Sequence, residues 1–142
     1  METIAVGCDH AGFAAKEKLL DFLKEQEIPY QDFGCNSTES VHYPLFARAV
    51  AQAVAEGEYS RGILICGTGI GMSIAANKVK GIRAALCHNA FTAAASREHN
   101  NANILCLGAR VLNEEEILEI VNIWLKTPFA GGRHQLRLEM LE

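Results

Sequence analysis

Cys66 closes an apolar run, Gly62-Ile63-Leu64-Ile65, and opens the segment Gly67-Thr68-Gly69-Ile70-Gly71-Met72-Ser73. Glycines let backbone N–H groups converge on an anion without interference from Cβ, and a helix starting just after them adds unpaired donors and a positive dipole end. A cysteine at the mouth of such a nest sits in a field that favours thiolate over thiol. One loop can then supply both a base and an oxyanion site.

Other anion-binding loops fail on spacing. A Walker-type loop needs a lysine after its last glycine, and the nearest one, Lys78, comes too late. A dinucleotide fingerprint needs a third glycine where Ile74 stands, and a phosphatase-type cysteine loop needs an arginine, of which none occurs before Arg83. A small nest for a carbonyl oxygen or a phosphate remains, with Cys66 beside it.

The elements that position this loop follow from the apolar pattern. Short apolar runs at residues 3–8, 30–33, 62–66, 84–87 and 104–108 alternate with helix-period segments at 14–27, 44–55, 73–79, 90–98 and 113–126. Runs without period-2 alternation, separated by helices, describe a parallel sheet covered on both faces. The expected fold is α/β, a three-layer α/β/α Rossmann-like sandwich with a five-stranded parallel sheet. Asn113 before Glu114-Glu115-Glu116 reads as a helix N-cap, and Ile117, Ile120, Val121 and Trp124 form one core stripe.

The chain has 142 residues, 49% hydrophobic and 21% charged, which suits a single domain over 1–142. Its net charge of −4 and lack of a Lys/Arg run argue against nucleic acid as the main partner. No apolar run approaches the roughly 18 residues of a membrane span. The start, Met1-Glu2-Thr3-Ile4, lacks signal-peptide features, so a cytoplasmic location is expected. Cys8, Cys35, Cys66, Cys87 and Cys106 form no C-x-x-C pair and read as reduced thiols, with Cys8, Cys87 and Cys106 as core residues.

In an open parallel sheet, ligands gather beyond the carboxyl ends of the strands. That edge collects Cys8-Asp9-His10, Gly34-Cys35-Asn36, Cys66-Gly67-Thr68, Cys87-His88-Asn89 and Gly108-Ala109-Arg110. No metal is expected, because Cys8, Asp9 and His10 are adjacent and cannot all turn toward one ion.

Together, Gly7-Cys8-Asp9-His10-Ala11-Gly12-Phe13, Tyr43-Pro44, the stretch from Cys66 to Lys78, Gly81-Ile82-Arg83-Ala84, Ser96-Arg97-Glu98-His99-Asn100, Gly108-Ala109-Arg110-Val111 and Gly131-Gly132-Arg133-His134-Gln135 resemble type B ribose-5-phosphate isomerase over essentially the whole chain. The resemblance implies a cofactor-free, metal-independent aldose–ketose isomerase that interconverts ribose 5-phosphate and ribulose 5-phosphate through an enediolate. Relatives acting on allose 6-phosphate or galactose 6-phosphate share the framework, and a non-catalytic sugar-phosphate sensor is the rival of another class.

By the resemblance, Cys66 is the base, and Gly67, Thr68, Gly69, Ile70 and Gly71 present N–H groups to the enediolate oxygen. His99 is the acid for opening the furanose ring, with Thr68 assisting. Arg110, Arg133, Arg137 and His10 bind the phosphate, Asp9 and His10 meet the sugar, Tyr43 lines the pocket, and Asn100 joins His99. Asp9 read by itself could equally cap the helix that begins near Gly12. A branch of the family that uses a glutamate in place of the cysteine is excluded, since no carboxylate lies between Cys66 and Lys78. His42, His88 and His134 receive no role.

His99 ends a helix that runs antiparallel to the strands, which puts it at the amino edge, away from Cys66. The expected assembly is therefore a homodimer or a dimer of dimers with shared active sites. His99 and Asn100 would serve a neighbour, and residues 128–142 would form an arm reaching a partner subunit.

Overall fold

A computed structural model describes residues 2–142. Five strands, β1 (Ile4–Cys8), β2 (Tyr30–Asp32), β3 (Arg61–Cys66), β4 (Ala84–Leu86) and β5 (Ile104–Gly108), form one parallel sheet in the order β2-β1-β3-β5-β4. Among the described residues, six helices surround it: α1 (Phe13–Glu25), α2 (Tyr43–Ala55), α3 (Ile70–Asn77), α4 (Ala90–Glu98), α5 (Glu114–Lys126) and α6 (Arg133–Glu139).

Successive strand residues point to opposite faces, and here both faces are buried. Ile4, Val6, Cys8, Ile63, Ile65, Leu105 and Leu107 pack with Leu19, Leu23 and the α5 stripe Ile117, Ile120, Val121 and Trp124. Ala5, Leu64, Cys66, Ile104 and Cys106 pack on the other side with Val50, Val54, Met72 and Ala76 of α2 and α3. This explains why the strands read as continuous apolar runs. It also turns the Cys66 side chain toward the layer that contains α3.

The strand order places the switch in chain direction between β1 and β3. The chain leaves β1 for β2 on one side and leaves β3 for β4 and β5 on the other, so a crevice opens where the two paths part. Asp9 and Cys66 flank that crevice. Asp9 N–H donates to Ile65 O at 3.2 Å, which continues the β1–β3 pairing one residue past the strand.

Several boundaries differ from the sequence expectation. Helix α3 begins at Ile70 rather than at 73, because Gly69 adopts φ +80° and ends the loop there. A 3-10 turn, His10–Gly12, precedes α1; Asp9 caps it by accepting Gly12 N–H at 3.1 Å, so the capping reading of Asp9 is realised on that turn. The segment 128–142, expected as an arm, contains α6, whose Leu138 is buried. Asn113 caps α5 as expected, in a reciprocal box with Glu116.

Candidate active site

The loop after β3 is a nest with the sulfur inside it. Cys66 is buried, and Gly69 N–H donates to its Sγ at 3.1 Å. The sulfur thus accepts a backbone N–H from the turn that follows it. That bond engages the Gly69 N–H with the sulfur rather than leaving it free for a ligand oxygen. Ile70 N–H is engaged with Thr68 Oγ1 at 3.2 Å. The N–H groups of Gly67, Thr68 and Gly71 have no protein acceptor among the described residues, and they are the donors free to meet an oxyanion.

Two glycines fix the shape. A Cβ on Gly69 would lie 2.5 Å from Leu86 Cδ1 and 2.9 Å from the Leu107 carbonyl carbon, and a positive φ is needed besides. A Cβ on Gly71 would meet the Tyr43 ring at 2.6 Å, so Tyr43 lies directly against the first turn of α3. Tyr43 opens α2, with Pro44 in the first turn, where a missing N–H costs nothing.

Neighbouring loops close around the nest. Ala109 N–H donates to Cys66 O and Arg110 N–H to Gly67 O, both at 2.9 Å. These bonds lay the Arg110 side chain across Gly67, where a Cβ would stand 3.3 Å from Arg110 Cδ. His10 Nδ1 accepts Val41 N–H at 3.1 Å, tying the loop before Tyr43 to the end of β1. That bond leaves Nε2 as the donor available to a ligand.

The other cysteines are set apart by their surroundings. Burial, with Cys35 adding to it, pushes the Cys8 thiol up to about 12. Burial likewise raises Cys87 and Cys106. All three are the core thiols that the sequence suggested, whereas Cys66 closes β3 at the glycine loop and its sulfur accepts Gly69 N–H.

One chain does not bring every expected residue together. Asp9, His10, Tyr43, Cys66, Gly67, Thr68, Gly69, Ile70, Gly71 and Arg110 converge at the carboxyl edge. His99 caps the C-terminus of α4 at the amino edge, as the antiparallel course requires. Gly62 pairs with Ile104 and Cys66 with Gly108, so the sheet alone separates the two edges by about 13 Å. Asn100, Arg133 and Arg137 lie with His99 at that far edge and are exposed.

A family model described as Ribose/Galactose Isomerase matches residues 4–141. The chain belongs to the ribose/galactose isomerase family. Within it, the chain is 48% identical to ribose-5-phosphate isomerase B of Escherichia coli (strain K12), over 99% of this chain and 95% of that protein. It is similar to the structure of Clostridium thermocellum ribose-5-phosphate isomerase B, with a TM-score of 0.97, 53% identity and coverage of 98% and 94% of the two chains. It also resembles ribose-5-phosphate isomerase B from Mycoplasma genitalium with bound ribulose-5-phosphate, with a TM-score of 0.94, 42% identity and coverage of 98% and 93%. The α/β architecture of this family is the one expected from the sequence.

Two features of this family member escaped the sequence reading. Lys16, fully buried, donates to Asp32 at 2.7 and 2.9 Å and to Cys35 O at 2.7 Å. Asp32 in turn accepts Gly34 N–H at 2.8 Å, so the pair fixes the loop that leaves β2 beside the site. Its signal was available: Lys16 falls on the apolar stripe with Phe13, Leu19, Leu20 and Leu23. The second is His134, which stacks on His99; nothing in its sequence neighbourhood announces that contact.

Proposed function

We propose that this protein interconverts ribose 5-phosphate and ribulose 5-phosphate. Cys66 Sγ, as thiolate, removes the proton on C2 of the open-chain aldose and returns it to C1, while the O2 proton passes to O1. The charge that develops on oxygen falls where Gly67, Thr68 and Gly71 offer N–H groups, and loss of one such donor typically costs about 3 kcal/mol of barrier. The observation that carries the proposal is the buried sulfur held by Gly69 N–H at 3.1 Å in the same loop as those unpaired donors.

Opening the furanose precedes enolisation. His99, assisted by Thr68, donates a proton to the ring oxygen, and because it lies at the opposite edge of its own sheet it acts in the site of a second copy of the chain. Asn100, Arg133 and Arg137 travel with it. Arg133 and Arg137 on the arm then join Arg110 and His10 in holding the phosphate, while Asp9 and Tyr43 contact the sugar. Leu45, Ile70 and Phe91, exposed in the first turns of α2, α3 and α4, rim the carboxyl edge with apolar surface that suits coverage by the second copy. We assign the homodimer to the cytoplasm, where Cys66 stays reduced; no described helix is long and apolar enough to cross a membrane.

The test is turnover of ribose 5-phosphate by the wild type and by Cys66→Ala, with binding measured alongside. The expected result is loss of at least a thousandfold in kcat with affinity retained. A variant with near wild-type turnover would remove the cysteine from the chemistry.

A further inference from the structure

The His99 ring does not stand alone at the amino edge. His134 of α6 stacks on it with ring centroids 4.5 Å apart and planes 17° from parallel. A main-chain bond from Ala130 N–H to Glu98 O, 3.1 Å, ties the segment just before α6 to the end of α4, and the Leu138 side chain of α6 is buried. Arg133 and Arg137 sit on the same helix, one residue before His134 and three after it.

Two imidazoles this close cannot both carry a proton without repulsion. The groups facing His134 are His99 and Glu98 at the end of α4, and Arg133 and Arg137 on its own helix. Partial burial, then the fields of His99, Arg133 and Arg137, hold its imidazole below the usual histidine value, with Glu98 opposing them.

We infer that His134 is a positioning residue for His99: a flat platform that fixes the plane of the ring-opening imidazole and couples it to the helix bearing the phosphate arginines. This rests on the isomerase reading above. It gives one short helix two tasks. Arg133 and Arg137 reach the substrate phosphate from the same helix whose His134 sets His99 against the sugar ring. Enolisation, carried by Cys66 at the other copy's crevice, does not depend on the stack.

The chemistry of the two substrates separates these steps. Ribose 5-phosphate must be opened before it reacts, whereas ribulose 5-phosphate has its C5 oxygen blocked by phosphate and no ring to open. The experiment compares the intact protein with His134→Ala and His134→Phe in two assays: turnover of ribose 5-phosphate, and solvent deuterium entering C1 of ribulose 5-phosphate in D2O. Misplacing a reacting group by about 1 Å costs up to about a hundredfold. We therefore expect His134→Ala to lower kcat on ribose 5-phosphate by about tenfold to a hundredfold, with deuterium entry changed less than about twofold. Phe, which keeps a stacking ring without a titrating group, should restore turnover to within about threefold. Equal loss in both assays, or a rise in KM for both substrates with kcat unchanged, would assign His134 to α6 docking or phosphate binding and overturn the inference. Failure of Phe to rescue would do the same. If the wild type itself drives neither reaction, the isomerase reading falls first and the inference with it.

Discussion

Gly69→Ala and Gly71→Ala form a matched pair that tests the architecture of the nest. At Gly69, φ of +80° costs an L-residue about 1–2 kcal/mol, and its Cβ would overlap the Leu107 backbone at 2.9 Å, where nothing flexible can yield. Overpacking of that kind adds about 1–3 kcal/mol, for a total of about 3 kcal/mol. At Gly71 the Cβ meets only the Tyr43 ring, a half-exposed side chain that can swing out. The unfolding entropy of a chain of 142 residues is about 0.3 kcal/mol/K, so 3 kcal/mol corresponds to a fall in Tm of about 10 °C. Gly69→Ala should show that fall by calorimetry, together with about a hundredfold loss in kcat, because the N–H that reaches Cys66 Sγ is displaced. Gly71→Ala should lose at most about 3 °C and raise KM severalfold as Tyr43 is moved. Equal losses of Tm in the two variants, or a Gly69→Ala protein within 2 °C of wild type, would refute the reasoning.

Three further outcomes are expected. Folded Cys8 keeps its proton up to about 12, whereas an unfolded cysteine releases it near 8.5, so the native state holds more protons between those values and stability falls as pH rises through them; Cys8→Ala should flatten the decline of Tm between pH 9 and 11, and an unchanged slope would count against it. For the pair beneath the β2 loop, Asp32→Asn should destabilise more than Lys16→Met in urea titrations, because it strands an ammonium with no exposure, whereas the carboxylate that Lys16→Met leaves behind is 32% exposed. Mixing Cys66→Ala with His99→Asn chains should restore activity at one of the two sites of a mixed dimer, and absence of complementation would argue against the shared site.

Much of this was legible in the chain. Continuous apolar runs separated by helix-period segments named the parallel sheet, because a strand buried on both faces has no polar side to show. The alternation of glycines after Cys66 named the nest, since only backbone free of Cβ can pack against Leu107 and Tyr43 as it does. Helix starts were less legible: Ile70 and Gly71 are poor helix openers by type, and only the left-handed turn at Gly69 shows that α3 begins there. Asp9 could be read as cap or ligand, and the structure uses one carboxylate oxygen as a cap for Gly12. The role of Lys16 was masked because a charged residue on an apolar stripe acquires a partner, Asp32, 16 positions away.

Local sequence determined which residues end each strand and which backbone groups lack a Cβ, because these depend on chain direction and on atoms within a few positions. Tertiary structure decided the rest. The order β2-β1-β3-β5-β4 brings Asp9 beside Cys66 and lays Arg110 over Gly67, an adjacency set by hydrogen bonds between strands far apart in the chain. The same packing sends His99 to the opposite edge and stacks it on His134, since each helix must run back across the sheet to start the next parallel strand. Periodicity carries the direction of an element but not its neighbours, and the proposed chemistry depends on the neighbours.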